Sequence, residues 1–181
     1  CEFAANFHAP DIVGYTTLDI ASNKSVPSLD QRLAPLIVWL EEVQPKAHII
    51  AHSFGSTLAI ELIKRLPNKI ASLSLYEPVI PKLLRLSGAA SDEALLETLV
   101  NVWRKLEGGE NGDEVRAFID YWANLALWDR LSAKAQQNLR TQAKPIAADF
   151  KQALTLNEMS YTRLSFSQPT QILAGSESPK I

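Results

Sequence analysis

The sequence predicts an α/β fold in which a parallel sheet is interrupted by an all-helical insertion. Three observations carry that expectation. Across residues 47–76 an apolar run, a helical stretch and a second apolar run follow at short intervals, the strand–helix–strand pattern of a parallel sheet. Residues 81–167 show helical periodicity only. A last apolar run at residues 170–174 restores the strand pattern. The chain therefore divides into an α/β core over 1–80, a helical insertion over 81–167 and a return to the core over 168–181.

Each element has its own signal. Residues 7–10 read as the end of a short strand entering a turn at 11–15, punctuated by Gly14. After a polar stretch, Ser28 and Gln31 have the spacing of a capping box. Leu33, Leu36, Leu40 and Val43 follow at helical intervals, and Pro35 predicts a kink in that helix or a later start. Residues 47–51 form an apolar strand, 56–66 a helix ended by Pro67, and 70–76 a second strand arriving at Glu77 and Pro78. In the insertion, Ser91 and Asp92 open a helix with Leu95, Leu99, Val102 and Leu106 on its apolar face, stopped at Gly108 and Gly109. Val115, Phe118, Ile119 and Trp122 stripe the next helix, and two more start near Ser132 and Pro145.

Composition narrows the function. A 181-residue chain with 46% hydrophobic and 21% charged residues is an ordinary globular sequence, long enough for one domain with a real core. The net charge of −2, with no basic run, argues against nucleic acid as a partner. The longest uninterrupted apolar run, residues 36–40, is far too short to cross a membrane. Cys1 is the single cysteine, so no internal disulfide is available, which suits a reducing, cytoplasmic compartment. A chain that starts with Cys1 instead of Met is expected to be processed or cut from something longer, and no polar tether follows to suggest a lipid anchor. His8, His48 and His52 lack ligand spacing with nearby carboxylates, so neither a metal nor another cofactor is expected.

The chemistry-bearing motif is Ala51-His52-Ser53-Phe54-Gly55, a small-x-Ser-x-small pentapeptide between an apolar strand and an amphipathic helix. A turn this sharp strains its central residue and lifts the serine hydroxyl clear of the sheet. The residues two before and two after are expected to pack against each other, which requires both to be small. The helix that follows points its unpaired N–H groups at the reacting centre, so the N–H of Phe54 is a candidate oxyanion donor. The alternative is that Ser53 is a helix-capping serine.

With these residues the chain resembles the α/β-hydrolase family nearly end to end. Residues 9–15 look like its fourth strand, 51–55 its nucleophile elbow, 70–78 its sixth strand, 81–167 its helical cap and 170–179 its seventh strand and loop. The resemblance implies a serine hydrolase with Ser53 as nucleophile. The family's usual acid position, three residues after Gly175, is Ser178, which cannot ionise. A subgroup resembling the haloalkane dehalogenases places the acid at the end of the sixth strand, which here is Glu77. Glu177 is the alternative acid. The dehalogenases attack with Asp, whereas a serine makes an acyl-enzyme and needs a general base.

None of the three histidines follows the last strand, where the family keeps its base, and each reads as a packed or hydrogen-bonded structural residue. The family's first oxyanion segment and third strand have no counterpart, which predicts an internal piece of a longer hydrolase. Trp103, Trp122 and Trp128 of the insertion are candidates for the apolar wall of a substrate pocket, or for core. The expected partner is a small molecule: an uncharged ester, or a ketone cleaved at a carbon–carbon bond. A non-catalytic member that binds a small apolar ligand, and an interaction protein with a decayed site, are the competing expectations.

Overall fold

A computed structural model describes residues 6–15, 27–43, 45–109, 112–123, 126–162, 164–176 and 178. Helix α1 (Leu29–Glu42) starts at the expected capping box. Ser28 Oγ accepts from the Gln31 N–H at 3.2 Å, and the Gln31 side chain accepts from the Ser28 N–H at 2.8 Å. Leu33, Leu36 and Leu40 are buried on one face. Pro35 does not delay the start. The buried leucine face carries the helix through the one backbone hydrogen bond that proline removes.

Strand β1 (Ala47–His52) passes through Ser53 alone into α2 (Phe54–Arg65), which begins two residues earlier than its periodicity suggested. A short 3-10 turn, Pro67–Lys69, leads into β2 (Ile70–Tyr76). Strand β3 (Thr170–Leu173) completes a parallel sheet in the order β1-β2-β3. The central strand is the apolar one: Ile70, Leu73 and Leu75 are buried, as a parallel strand flanked on both sides requires. His52 lies opposite Tyr76, and Tyr76 opposite Leu173, so the C-terminal ends of all three strands fall in one row.

Between β2 and β3 the regular elements among the described residues are all helical: a 3-10 segment Pro81–Ser87, then α3 (Ala90–Glu107), α4 (Val115–Ala123), α5 (Ala133–Thr141) and α6 (Ala143–Thr155), with short 3-10 turns at Trp128–Arg130 and Glu158–Ser160. Helix α3 buries Leu99 and Leu106 of the expected stripe and also Leu96, while Leu95 and Val102 are half-buried. Two apolar clusters result. One joins α1, α2 and the sheet through Leu33, Leu40, Leu58, Ile63 and Leu75. The other lies within the helical segment, around Leu106, Val115, Trp128 and Ala147.

One expected element is missing. Residues 7–10 form no strand. A cavity of about 310 Å³ separates His8, Pro10 and Ile12 from β1. Backbones must come within about 5 Å to share a ladder, and the intervening space prevents it. His8 instead sets its ring 5.4 Å from that of Trp39.

Candidate active site

The site is built where β1 and β2 end. Ser53 has φ 53° and ψ −128°, a conformation that side chains other than glycine adopt only at a cost of roughly 1–3 kcal/mol. It stands at the N-cap position of α2, yet its side chain makes no capping hydrogen bond. The helix-capping alternative is therefore not how this hydroxyl is used. The turn is held by the backbone and by its neighbours. The Ser53 N–H donates to the Tyr76 carbonyl at 2.9 Å, and the Ser56 N–H donates to the Ser53 carbonyl at 2.9 Å. Ser56 Oγ donates to the same Tyr76 carbonyl at 3.2 Å, and the fully buried Thr57 donates Oγ1 to the Val79 carbonyl at 2.8 Å. Phe54 is the first residue of α2, where the helical pattern leaves an N–H without an intrahelical acceptor.

The small residues of the pentapeptide have a different basis from the one expected. A Cβ added at Gly55 would meet nothing within 4 Å, so close packing against Ala51 does not require glycine there. Both residues instead line the cavity beside β1.

Glu77 leaves β2 with φ 48°, again positive for a non-glycine residue. Its N–H donates to the Leu173 carbonyl at 2.8 Å. Its Oε1 accepts from the Gly175 N–H at 2.9 Å and from the Ser178 hydroxyl. The Ser178 hydroxyl, the Gly175 N–H and the nearby His52 hold the Glu77 carboxyl below the usual carboxylate range, against a smaller upward push from burial. The two positions that compete for the acid in the sequence thus meet at one carboxylate: Ser178, in the loop after β3, is a donor to Glu77. Glu177 lies outside the described residues. A spacing of three residues after Gly175 was the only sequence signal for Ser178, and it could not specify a partner 101 residues away.

The histidines are more exposed than a packed role implies. His52 is largely solvent-exposed, with Nε2 3.9 Å from Glu77 Oε2. His48 is exposed and shares a 2.7 Å hydrogen bond through Nδ1 with Ser72 Oγ. Among the described residues none of the three hydrogen-bonds Ser53.

A cavity of about 260 Å³ opens beside Ser53, lined by Tyr15, Val79, Phe118, Trp122, Asp149 and Phe150 among others. Trp122 therefore stands where a pocket wall was expected. Trp128 does not: it is buried in the cluster within the helical segment, under the guanidinium of Arg140 at 5.1 Å from its ring. Trp103 also lies away from the cavity, with Lys151 Nζ 5.4 Å from its ring. Helical spacing put Trp122 in an apolar stripe but could not say which of the three tryptophans of the insertion looks toward Ser53.

Behind the cavity is a polar group the sequence reading passed over. Arg32 of α1 is fully buried, and its Nη2 lies 2.6 Å from Asp149 Oδ1 of α6. Tyr15 donates its hydroxyl to Asp149 Oδ2 at 2.6 Å. The guanidinium also sits over the rings of Phe54 and Tyr15, at 5.7 and 5.9 Å. Burial raises the Asp149 carboxyl to about 6, with Arg32 and the Tyr15 hydrogen bond pulling it back. Burial and the neighbouring Asp149 push the Tyr15 phenol well up, so it stays a neutral donor. Among the described residues no group of three or more His, Cys, Asp or Glu side chains could hold a metal, and no helix is long and apolar enough to cross a membrane.

This arrangement, a parallel sheet with a strained serine between strand and helix and a helical segment after the next strand, defines the α/β-hydrolase fold, and solved structures agree. A provisionally named alpha/beta hydrolase from Nostoc sp PCC 7120 matches 83% of this chain and 57% of its own length, at a TM-score of 0.56 and 15% identity. An alpha/beta hydrolase from Sphaerobacter thermophilus DSM 20745 matches 86% of this chain and 60% of its own, at a TM-score of 0.52 and 15% identity. The chain thus spans between half and three fifths of the length of the solved structures that it matches. No family model and no curated protein matches the sequence.

Proposed function

We propose that this chain carries the nucleophile and acid of a serine hydrolase, which acylates Ser53 with a small or medium uncharged ester or cleaves a ketone substrate at a carbon–carbon bond. The observation that carries the reading is the backbone of Ser53: a costly positive φ, held by four hydrogen bonds around the turn, at a residue whose hydroxyl does no capping. Strain of this kind persists where the surrounding structure imposes it, and it is concentrated at reacting residues.

In this reading the Ser53 oxygen attacks the carbonyl carbon while its proton passes to a base. The carbonyl π bond opens to an oxyanion that the Phe54 N–H stabilises, and the leaving group departs with the proton. Water then attacks the acyl-enzyme, releasing the acid and restoring Ser53. Glu77, ionised and fixed by Ser178 and Gly175, orients and stabilises the protonated base. The base is none of His8, His48 and His52. The helices of residues 81–160 serve as a cap, whose α4 and α6 close the apolar side of the pocket.

The test is covalent labelling. A fluorophosphonate, or p-nitrophenyl acetate followed by intact-mass and peptide analysis, is expected to modify Ser53. Added imidazole should accelerate it by standing in for the base, and Ser53→Ala should abolish it. Modification that continues unchanged in Ser53→Ala, or that maps to another residue, defeats the assignment.

A further inference from the structure

Arg32 belongs to α1 and Asp149 to α6, so their buried ion pair crosses from the sheet-bearing part of the chain to the helical segment. Stability does not explain it. Two charges taken from water recover little over an apolar pair of similar volume. Burial outweighs Arg32 and Tyr15 in raising the Asp149 carboxyl to about 6, so these partners do not offset its desolvation in full. What a charged pair adds is direction. The rest of α6 meets the Ser53 cavity through Ile146, Phe150 and Ala153, and apolar contacts are non-directional, so they tolerate sliding and rotation. Asp149 is instead held at both oxygens, with Arg32 Nη2 and the Tyr15 hydroxyl each at 2.6 Å. Three residues on, the Gln152 side chain donates to the Pro27 carbonyl, which also accepts from Arg32 Nε at 3.5 Å.

The same guanidinium reaches the elbow. Its carbon lies 5.7 Å from the centre of the Phe54 ring and 5.9 Å from that of Tyr15, and a flat cation packs on rings more readily than an ammonium does. The backbone makes way for it at Gly14, whose φ is 105° and where an added Cβ would lie 3.4 Å from Arg32 Nη2. We infer that Arg32 is a positioning residue: holding Asp149 on one side and the Phe54 ring on the other, it sets the register of α6 over the Ser53 cavity and steadies the residue that supplies the oxyanion donor. The consequence for acylation rests on the reading of Ser53 as the nucleophile, whereas the register of α6 can be measured without catalysis.

The test replaces the pair by apolar residues, Arg32→Met/Asp149→Leu, in the full chain. Chemical denaturation is expected to show unchanged or higher stability. Order should nevertheless be lost. Trp122 lines the cavity from α4 with its ring 6.4 Å from that of Phe150 on α6, whereas Trp128 is buried in the cluster within the helical segment. In chain labelled with 5-fluorotryptophan, with lines assigned through Trp122→Phe and Trp128→Phe, the wild type should give one Trp122 fluorine line. The double variant should split that line or broaden it about twofold as α6 samples several registers, and leave the Trp128 line unchanged. Fluorophosphonate labelling of Ser53 with added imidazole should slow about tenfold at saturating probe, with the half-saturating concentration little altered. A single, unshifted Trp122 line in the double variant, a change shared equally by Trp128, or labelling at the wild-type rate overturns the inference. So does failure of both this variant and Arg32→Leu/Asp149→Met to fold, since the pair would then be an element of stability. A wild type that does not label at Ser53 sinks the hydrolase reading instead, and the Trp122 lines still decide this one.

Discussion

Ser53 and Glu77 stand at matching places, one residue beyond the paired ends of β1 and β2, and both hold positive φ, at 53° and 48°. They are the two non-glycine residues in that region of backbone space among the described residues. Each donates its N–H to the carbonyl at the end of the neighbouring strand, Ser53 to Tyr76 and Glu77 to Leu173. The same backbone device is thus used twice in adjacent strands. It frees one hydroxyl from the capping role and delivers one carboxylate to the loop after β3.

Because the strain at Ser53 belongs to the folded state, relieving it should stabilise the protein. Ser53→Gly is expected to raise stability by about 1 kcal/mol while abolishing acylation. Chemical denaturation with labelling in parallel checks this, and a less stable glycine variant would show that the turn is not strained.

Gly175 and Gly55 should respond in opposite ways. A Cβ at Gly175 would lie 2.6 Å from Ser178 Oγ and 3.1 Å from Glu77 Oε1, so Gly175→Ala must displace the donors that fix Glu77. Gly55→Ala has open space and a better helix former, and should leave the melting temperature unchanged or slightly higher. Thermal melts of the two variants separate the cases; equal losses would contradict the geometry at both sites.

The depressed Glu77 pKa has a definite sign. The folded state favours the ionised carboxylate, so its contribution to stability is present above the unfolded-state pKa and is lost as pH falls through the lower folded value. Ser178→Ala removes the largest cause and should move the Glu77 titration upward, toward the ordinary carboxylate range. Side-chain carbon NMR titration measures it directly, and an unshifted midpoint would remove Ser178 from its positioning role.

Asp149 has the opposite sign. Its folded pKa of about 6 lies above the ordinary 3.8, so between these values the folded chain holds a proton that the unfolded chain has released. Its contribution to stability is therefore full below the unfolded pKa and is lost as pH rises through about 6. Relative to Arg32→Met/Asp149→Leu, the wild type should gain melting temperature as the pH is lowered from 7 to 5. Parallel curves for the two proteins across this window would show that Asp149 does not titrate there.

Much of the fold was legible because its signals are local. Ser28 and Gln31 cap α1 through bonds that span three residues, and β2 announces itself as a short apolar run bounded by Pro67 and Pro78. The elbow at Ser53 was legible for the same reason: a small-residue pentapeptide between strand and helix specifies a tight turn by itself. Residues 7–10 were misread as a strand because extended propensity is local whereas a ladder needs a partner, and a cavity lies where that partner would be. Whether Trp122 or Trp128 faces the pocket was not legible in sequence, since an apolar residue declares that it is buried without naming what it meets. The meeting of Ser178 with Glu77 and of Arg32 with Asp149 spans 101 and 117 residues of chain. Such contacts are decided by how helices and strands pack, which no run of neighbouring residues encodes. Sequence alone determined which serine is forced into a strained bend; tertiary structure decided which carboxylates, rings and charges are gathered around it.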